Sequence, residues 1–201
     1  FAFLLSTTAA RADEETLALF APFVEPNAEM LAWDELSNSQ QTILLSVEDP
    51  NFWTHNGIDT RTPGAGITTI TQALVKRLYF ENFTKGPLNK LRQSRIAKNR
   101  VHPNVEKLTQ LNAFLNLAYL GTGEGEALIG FQAASQYYFG KPVAELDQRA
   151  FVLLVGSLIG PNRWTPGKSE ADERADRIER LLSGACVPRK NNDVFLEGCR
   201  K

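Results

Sequence analysis

Three observations predict a mainly α-helical fold for this chain. Apolar residues recur at three- and four-residue spacing in one segment after another, and Gly/Pro breaks separate the segments. No stretch alternates apolar and polar residues convincingly, as a half-buried strand would. With 201 residues, 43% of them hydrophobic, the chain can bury one sizeable core, so a single domain over residues 13–184 is expected. A short apolar opening, 1–12, precedes it and a polar tail, 185–201, follows it.

The first helix signal is Ser37 and Gln40 at capping-box spacing, with Ile43, Leu44 and Val47 on one apolar face. Pro50 makes Asp49 the helix exit. Glu48 then falls in the last turn, where the negative end of the helix dipole disfavours another negative charge. Such a position raises a carboxyl pKa and suits a general base or acid. A solvated helix end whose following aromatics simply pack is the competing reading, and these residues alone leave both open. The chain continues as Asn51-Phe52-Trp53-Thr54-His55-Asn56-Gly57-Ile58-Asp59, a rigid aromatic turn in which His55 reads as a structural hydrogen-bonding residue.

Gly64 and Gly66 give a flexible approach to the next helix, with Thr68 as its expected N-cap. Ile70, Leu74 and Leu78 would face the core, while Thr69, Gln72 and Lys76 share another face. A hydroxyl, an amide and an ammonium together can hold a phosphate or a sugar amide, or can be an ordinary polar outer face. After a break at 84–87, Lys90, Ser94 and Lys98 share one helical face. After a break at 101–104, a helix from Lys107 to Tyr119 sets Asn112 and Asn116 on one side and Leu108, Leu111 and Leu115 on the other. Breaks at 121–126 and 160–167 follow, and the last helix opens at Ser169 and stops at Gly184. His102, before Pro103, carries no signal.

Net charge is only −1, but it is unevenly spread. Residues 1–59 hold ten acidic residues and one basic one, whereas residues 76–107 hold nine basic residues against Glu81 and Glu106. A basic stripe of this kind fits a pyrophosphate-bearing substrate or an anionic lipid. Nucleic acid is not expected, because no reading motif accompanies the charge. The opening Phe1-Ala2-Phe3-Leu4-Leu5, with Ala10-Arg11-Ala12, has the form of the end of a secretion signal, a truncated membrane anchor being the alternative. No stretch is long enough to span a bilayer as it stands. Cys186 and Cys199 lie in the polar tail and form a plausible disulfide in an oxidising compartment.

The run Glu48-Asp49-x-x-Phe52-x-x-His55-x-Gly57-x-Asp59, followed by Thr69-Ile70-Thr71-Gln72, resembles glycosyltransferase family 51, the peptidoglycan glycosyltransferases of bacterial cell-wall synthesis. Asn89-Lys90, Phe114-Leu115-Asn116-Leu117-Ala118-Tyr119-Leu120-Gly121 and Ala133-Ala134-Ser135-Gln136-Tyr137-Tyr138-Phe139-Gly140-Lys141 resemble further motifs of the family, in order, from about Trp33 to about Leu182. The resemblance implies a lysozyme-like helical fold and the polymerisation of lipid II at a membrane surface outside the cytoplasm, on a nascent glycan strand and beside other cell-wall synthesis proteins. It makes Glu48 the base and Lys76, Lys90 and Lys98 the pyrophosphate contacts. Thr69, Gln72, Asn112 and Asn116 become substrate-binding residues, and a divalent metal (Mg or Mn) becomes possible. Asn112 stands where the family has a second glutamate, and the stretch from Asp59 to Gly64 is shorter than in typical members. Asparagine keeps hydrogen-bond geometry but loses the charge, unless Glu124 or Glu126 supplies it. Two alternatives follow from that departure: an inactive module that binds glycan or lipid II, and a lytic, lysozyme-like enzyme that needs a single glutamate.

Overall fold

The computed structural model describes residues 2–201, with side chains from Arg11 onward. The expected signal or anchor segment falls largely on residues 1–10, whose side chains lie outside the described residues; its backbone belongs to helix α1 (Ala2–Phe20). Among the described residues, no helix is long and apolar enough to cross a membrane. Helices α2 (Asn38–Glu48), α3 (Ile70–Leu78) and α4 (Pro87–Ile96) follow. Next come a π-helical turn over Ala97–Val101 and the short α5 (His102–Asn104). The remaining helices are α6 (Lys107–Leu117), α7 (Phe131–Phe139), α8 (Gln148–Ser157) and α9 (Ser169–Leu182). The fold is mainly α, as the spacing predicts.

One hairpin interrupts the helices. Strands β1 (Tyr119–Gly123) and β2 (Glu126–Ile129) pair antiparallel, Gly123 opposite Glu126 and Thr122 opposite Ala127. Glu124 and Gly125 turn the corner with positive φ at both positions, the conformation that two-residue hairpins require. The sequence reads only as a break here, because strands this short and rich in glycine show no alternation.

Helix α8 is central, with Phe151, Val152, Leu154 and Val155 wholly buried. It packs against α9 and α2. Arg149 on α8 ties the pair together, its guanidinium reaching Asp172, Asp176 and Glu179 of α9 at 3.3, 2.8 and 2.9 Å. Helix α3 packs on α6, and Leu74 and Val75 of the one and Leu111 and Leu115 of the other are fully buried.

The faces of α6 differ from those expected. Leu108 is 48% exposed, and the asparagine side turns inward. Asn112 accepts from Trp33 N at 2.8 Å and donates to Phe23 O at 3.0 Å. Asn116 accepts from Leu31 N at 2.9 Å and donates to the carbonyls of Leu31 and Asn112, each at 2.8 Å. The segment 23–33 has little regular structure, so its backbone groups need partners, and two amides meet that need where leucines could not. Asn112→Ala should therefore leave Trp33 N–H and Phe23 C=O without partners and destabilise the fold by about 2–3 kcal/mol, read by urea unfolding. Asn112→Leu, nearer in volume, should be no better.

Candidate active site

Glu48 is the last residue of α2, as the capping box and Pro50 predict. It is partly exposed, yet its carboxyl lies among buried groups, and desolvation pushes its pKa up to about 7. The Asp49 charge adds to this rise and the Arg174 charge opposes it. A carboxyl at that pKa exchanges protons readily at neutral pH.

The turn after Glu48 is built round Asp49, which is 1% exposed. His55 Nε2 lies 3.0 Å from both carboxylate oxygens, and Ile70 N donates to Oδ2 at 2.9 Å. His55 Nδ1 accepts from Gly57 N at 3.0 Å, so Nε2 is the protonated nitrogen that faces Asp49. Phe52 is fully buried beneath, with the Lys107 ammonium 4.4 Å over its ring and donating to His55 O at 3.1 Å. Gly57 sits at φ +88°, and any Cβ there would come within 2.5 Å of Ala97 O. Only glycine lets this turn lie against the π-helical segment.

Thr69, not Thr68, is the N-cap of α3, and it forms a full capping box with Gln72. Thr69 also donates to Gly57 O at 2.8 Å, and Gln72 donates to Ser94 Oγ at 2.9 Å. Both side chains are almost completely buried. These residues hold α3 to the aromatic turn and to α4 through the cap and the interhelix bonds. Asn112 and Asn116 likewise bond the backbone of 23–33.

The three lysines behave differently from one another. Lys90 is half-buried on α4 and donates to Thr68 Oγ1 at 2.8 Å; burial lowers its pKa to about 8. Lys76 is exposed on α3, its ammonium 5.5 Å over the Phe83 ring. Lys98 is exposed on the π-helical turn. Thr68 joins Lys90 to the start of α3, so Lys90 and the Glu48 turn are linked through one short segment. Glu124 and Glu126 are exposed at the hairpin tip.

Arg174 on α9 is a buried charge acting on Glu48 that the sequence does not single out. It is 3% exposed, and its Nε and Nη1 have no hydrogen-bond partner. Burial lowers its pKa to about 10, and the Glu48 charge raises it. A buried guanidinium with free donors beside an activated carboxylate supplies positive charge where the acid loses its proton. A signal existed. Ala171, Arg174, Ala175 and Ile178 fall on one buried stripe of α9, so this arginine sits where the helical period calls for an apolar residue.

Among the described residues no three His, Cys, Asp or Glu side chains converge, and Asp49 is already engaged by His55 and Ile70. This donor set does not fit a divalent cation held by the protein, and no step is derived through one.

Residues 14–185 match the family model described as transglycosylase. The chain belongs to the transglycosylase family. It is 32% identical over 154 residues to penicillin-binding protein 1B of Vibrio cholerae, covering 69% of this chain and 20% of that protein. To penicillin-binding protein 1B of Escherichia coli it is 31% identical over 161 residues, covering 69% of this chain and 18% of that one. Penicillin-binding protein 2D of Bacillus subtilis is 32% identical over 168 residues, covering 75% of this chain and 23% of that protein. The chain thus spans about a fifth of the length of these relatives.

The raised pKa of Glu48 has a consequence for stability. Folding favours its protonated form, so the group adds stability below its unfolded value of 4.5 and loses it as pH rises through about 7. Glu48→Gln should be more stable than the native chain at pH 8, by on the order of 1–3 kcal/mol, and the difference should vanish near pH 4. Thermal unfolding at both pH values checks this. Equal stability at pH 8 would mean that the carboxyl is not desolvated.

Proposed function

We propose that this transglycosylase-family chain is a peptidoglycan glycosyltransferase domain that polymerises lipid II into glycan strands. The observation that carries the reading is Glu48, a carboxyl held at a pKa of about 7 at the head of the motif that resembles glycosyltransferase family 51. Glu48 takes the proton from the acceptor sugar's 4-hydroxyl. The oxygen attacks the donor's anomeric carbon, the bond from that carbon to the phosphate oxygen breaks, and the lipid pyrophosphate leaves with the electron pair. Lys90, with Lys76 and Lys98 toward solvent, meets the departing negative charge. Arg174 steadies the ionised form of Glu48 before the proton arrives. Membership of the transglycosylase family supports a role in peptidoglycan synthesis. The disulfide and the lipid-linked donor suit a cleft that works at a membrane surface outside the cytoplasm, next to other cell-wall synthesis proteins.

Labelled lipid II and the purified chain test this. The native chain should build polymer, and Glu48→Gln should be slower by on the order of 10²–10⁴ with an unchanged circular dichroism spectrum. Shortening of preformed glycan would establish the lytic reading instead, and binding of lipid II without turnover would establish a binding module.

The pH profile of kcat/KM should be a narrow bell. Its acid limb falls below about 7 as Glu48 protonates, and its alkaline limb falls above about 8 as Lys90 loses its charge. Lys90→Arg should keep the acid limb and move the alkaline one upward, because arginine stays charged. An alkaline limb that does not move would remove Lys90 from the donor site.

A further inference from the structure

The tail lies beyond the family match, which ends at residue 185, and it is bound to the fold on two sides. On one side it clasps the segment before α3. Gly64 N donates to Lys190 O at 3.0 Å and Gly66 N to Asn191 O at 2.9 Å. Asn191 Nδ2 returns donors to Thr62 O at 3.1 Å and Gly66 O at 2.9 Å. On the other side it is fastened to α9. Arg177 Nη1 donates to Phe195 O at 3.0 Å and to the Glu197 carboxylate at 2.8 Å, and Arg180 Nε donates to Cys199 O at 2.7 Å.

The tail is a built element in its own right. A disulfide joins Cys186 to Cys199. Asp193 is 6% exposed and accepts from the backbone N–H groups of Arg189, Glu197 and Gly198. Leu196 is held at φ 54°, a left-handed conformation that costs a residue with a side chain about 1 kcal/mol, and it is buried there. The cross-link and the Asp193 bonds hold the loop in that shape.

Both anchorages lead to Glu48. Thr62, whose carbonyl takes the Asn191 amide, accepts from Asn51 Nδ2 through its hydroxyl at 2.6 Å. Asn51 stands three residues after Glu48, in the turn that Asp49 organises. Arg177 and Arg180 lie one and two turns beyond Arg174 on the same helix.

We propose that the disulfide-closed tail is a positioning element of the Glu48 site, with Asn191 as its positioning residue, acting through segment 62–66 and α9. The proposal rests on the reading of Glu48 as the base. The charged groups that act on Glu48 are Arg174 from α9 and Asp49 from its own turn; Arg177 of α9 and, less strongly, Asp193 of the tail act on Arg174 in turn. Helix α8, which also packs on α2, brings no charged group to bear on it. With the clasp open, the turn and α9 are no longer held from outside, water reaches Glu48, and its carboxyl relaxes toward the ordinary range.

Three preparations test this: the native chain, the native chain with its disulfide reduced by a phosphine, and Asn191→Asp. The substitution keeps the side-chain shape and turns an oxygen against the carbonyls of Thr62 and Gly66. In both altered preparations the Gly64 and Gly66 amides should exchange with solvent at least about tenfold faster. The Glu48 carboxyl, followed by carbon-13 NMR, should titrate about one unit lower. Polymerisation should lose about tenfold in kcat, with KM for lipid II within about twofold, as expected of a misplaced group that still binds. Faster exchange with an unmoved Glu48 titration would reduce the tail to a structural brace and overturn the proposal, as would unchanged exchange. A native chain that makes no polymer would refute the glycosyltransferase reading alone, because exchange and titration need no turnover.

Discussion

The buried carboxylate of Asp49 is the constraint on which the rest depends. It receives His55 Nε2 and the backbone N–H of Ile70, so one side chain fixes the end of α2, the aromatic turn and the start of α3. A carboxylate this deeply buried is tolerated because each partner compensates for lost water. Its neighbour Glu48 is instead dominated by desolvation. Two adjacent carboxyl groups are thereby given different chemistry: one is tied down by hydrogen bonds, and the other is left desolvated and able to take a proton.

That division depends on support from every side. Gly57 admits the π-helical segment against the turn, Lys107 covers Phe52 and reaches His55, and Thr69 closes the gap to Gly57 O. Several polar side chains of these helices also bond the surrounding fold. Thr69 and Gln72 cap and tie α3, and Asn112 and Asn116 brace a segment with little structure of its own. A polar residue at helical spacing marks a face that needs polar partners, and the partner can as readily be backbone as ligand.

The positive charge is distributed by depth. Arg174 is buried with unpaired donors, Lys90 is half-buried, and Lys76 and Lys98 are in solvent. Desolvated charges act strongly at short range and exposed ones act weakly through water. Arg174 is thus the cation whose charge acts on Glu48, and the lysines present theirs nearer to water.

Local signals in the sequence determined the helices and the helix exit at Asp49, with Glu48 in the last turn, because each follows from spacing, capping and composition over a few residues. The motif beginning at Glu48 likewise identified the family from sequence alone. The tertiary structure decided matters that depend on which distant groups meet. It turned the asparagine side of α6 inward, moved the cap of α3 to Thr69, and made a hairpin where a glycine-rich break hides the alternation. It also brought the Arg174 charge from the last helix within electrostatic reach of Glu48, across more than half the chain. Burial and charge proximity are sums over neighbours remote in sequence, so the pKa of Glu48 and the docking of the tail on 62–66 belong to the packed molecule and to no single stretch of it.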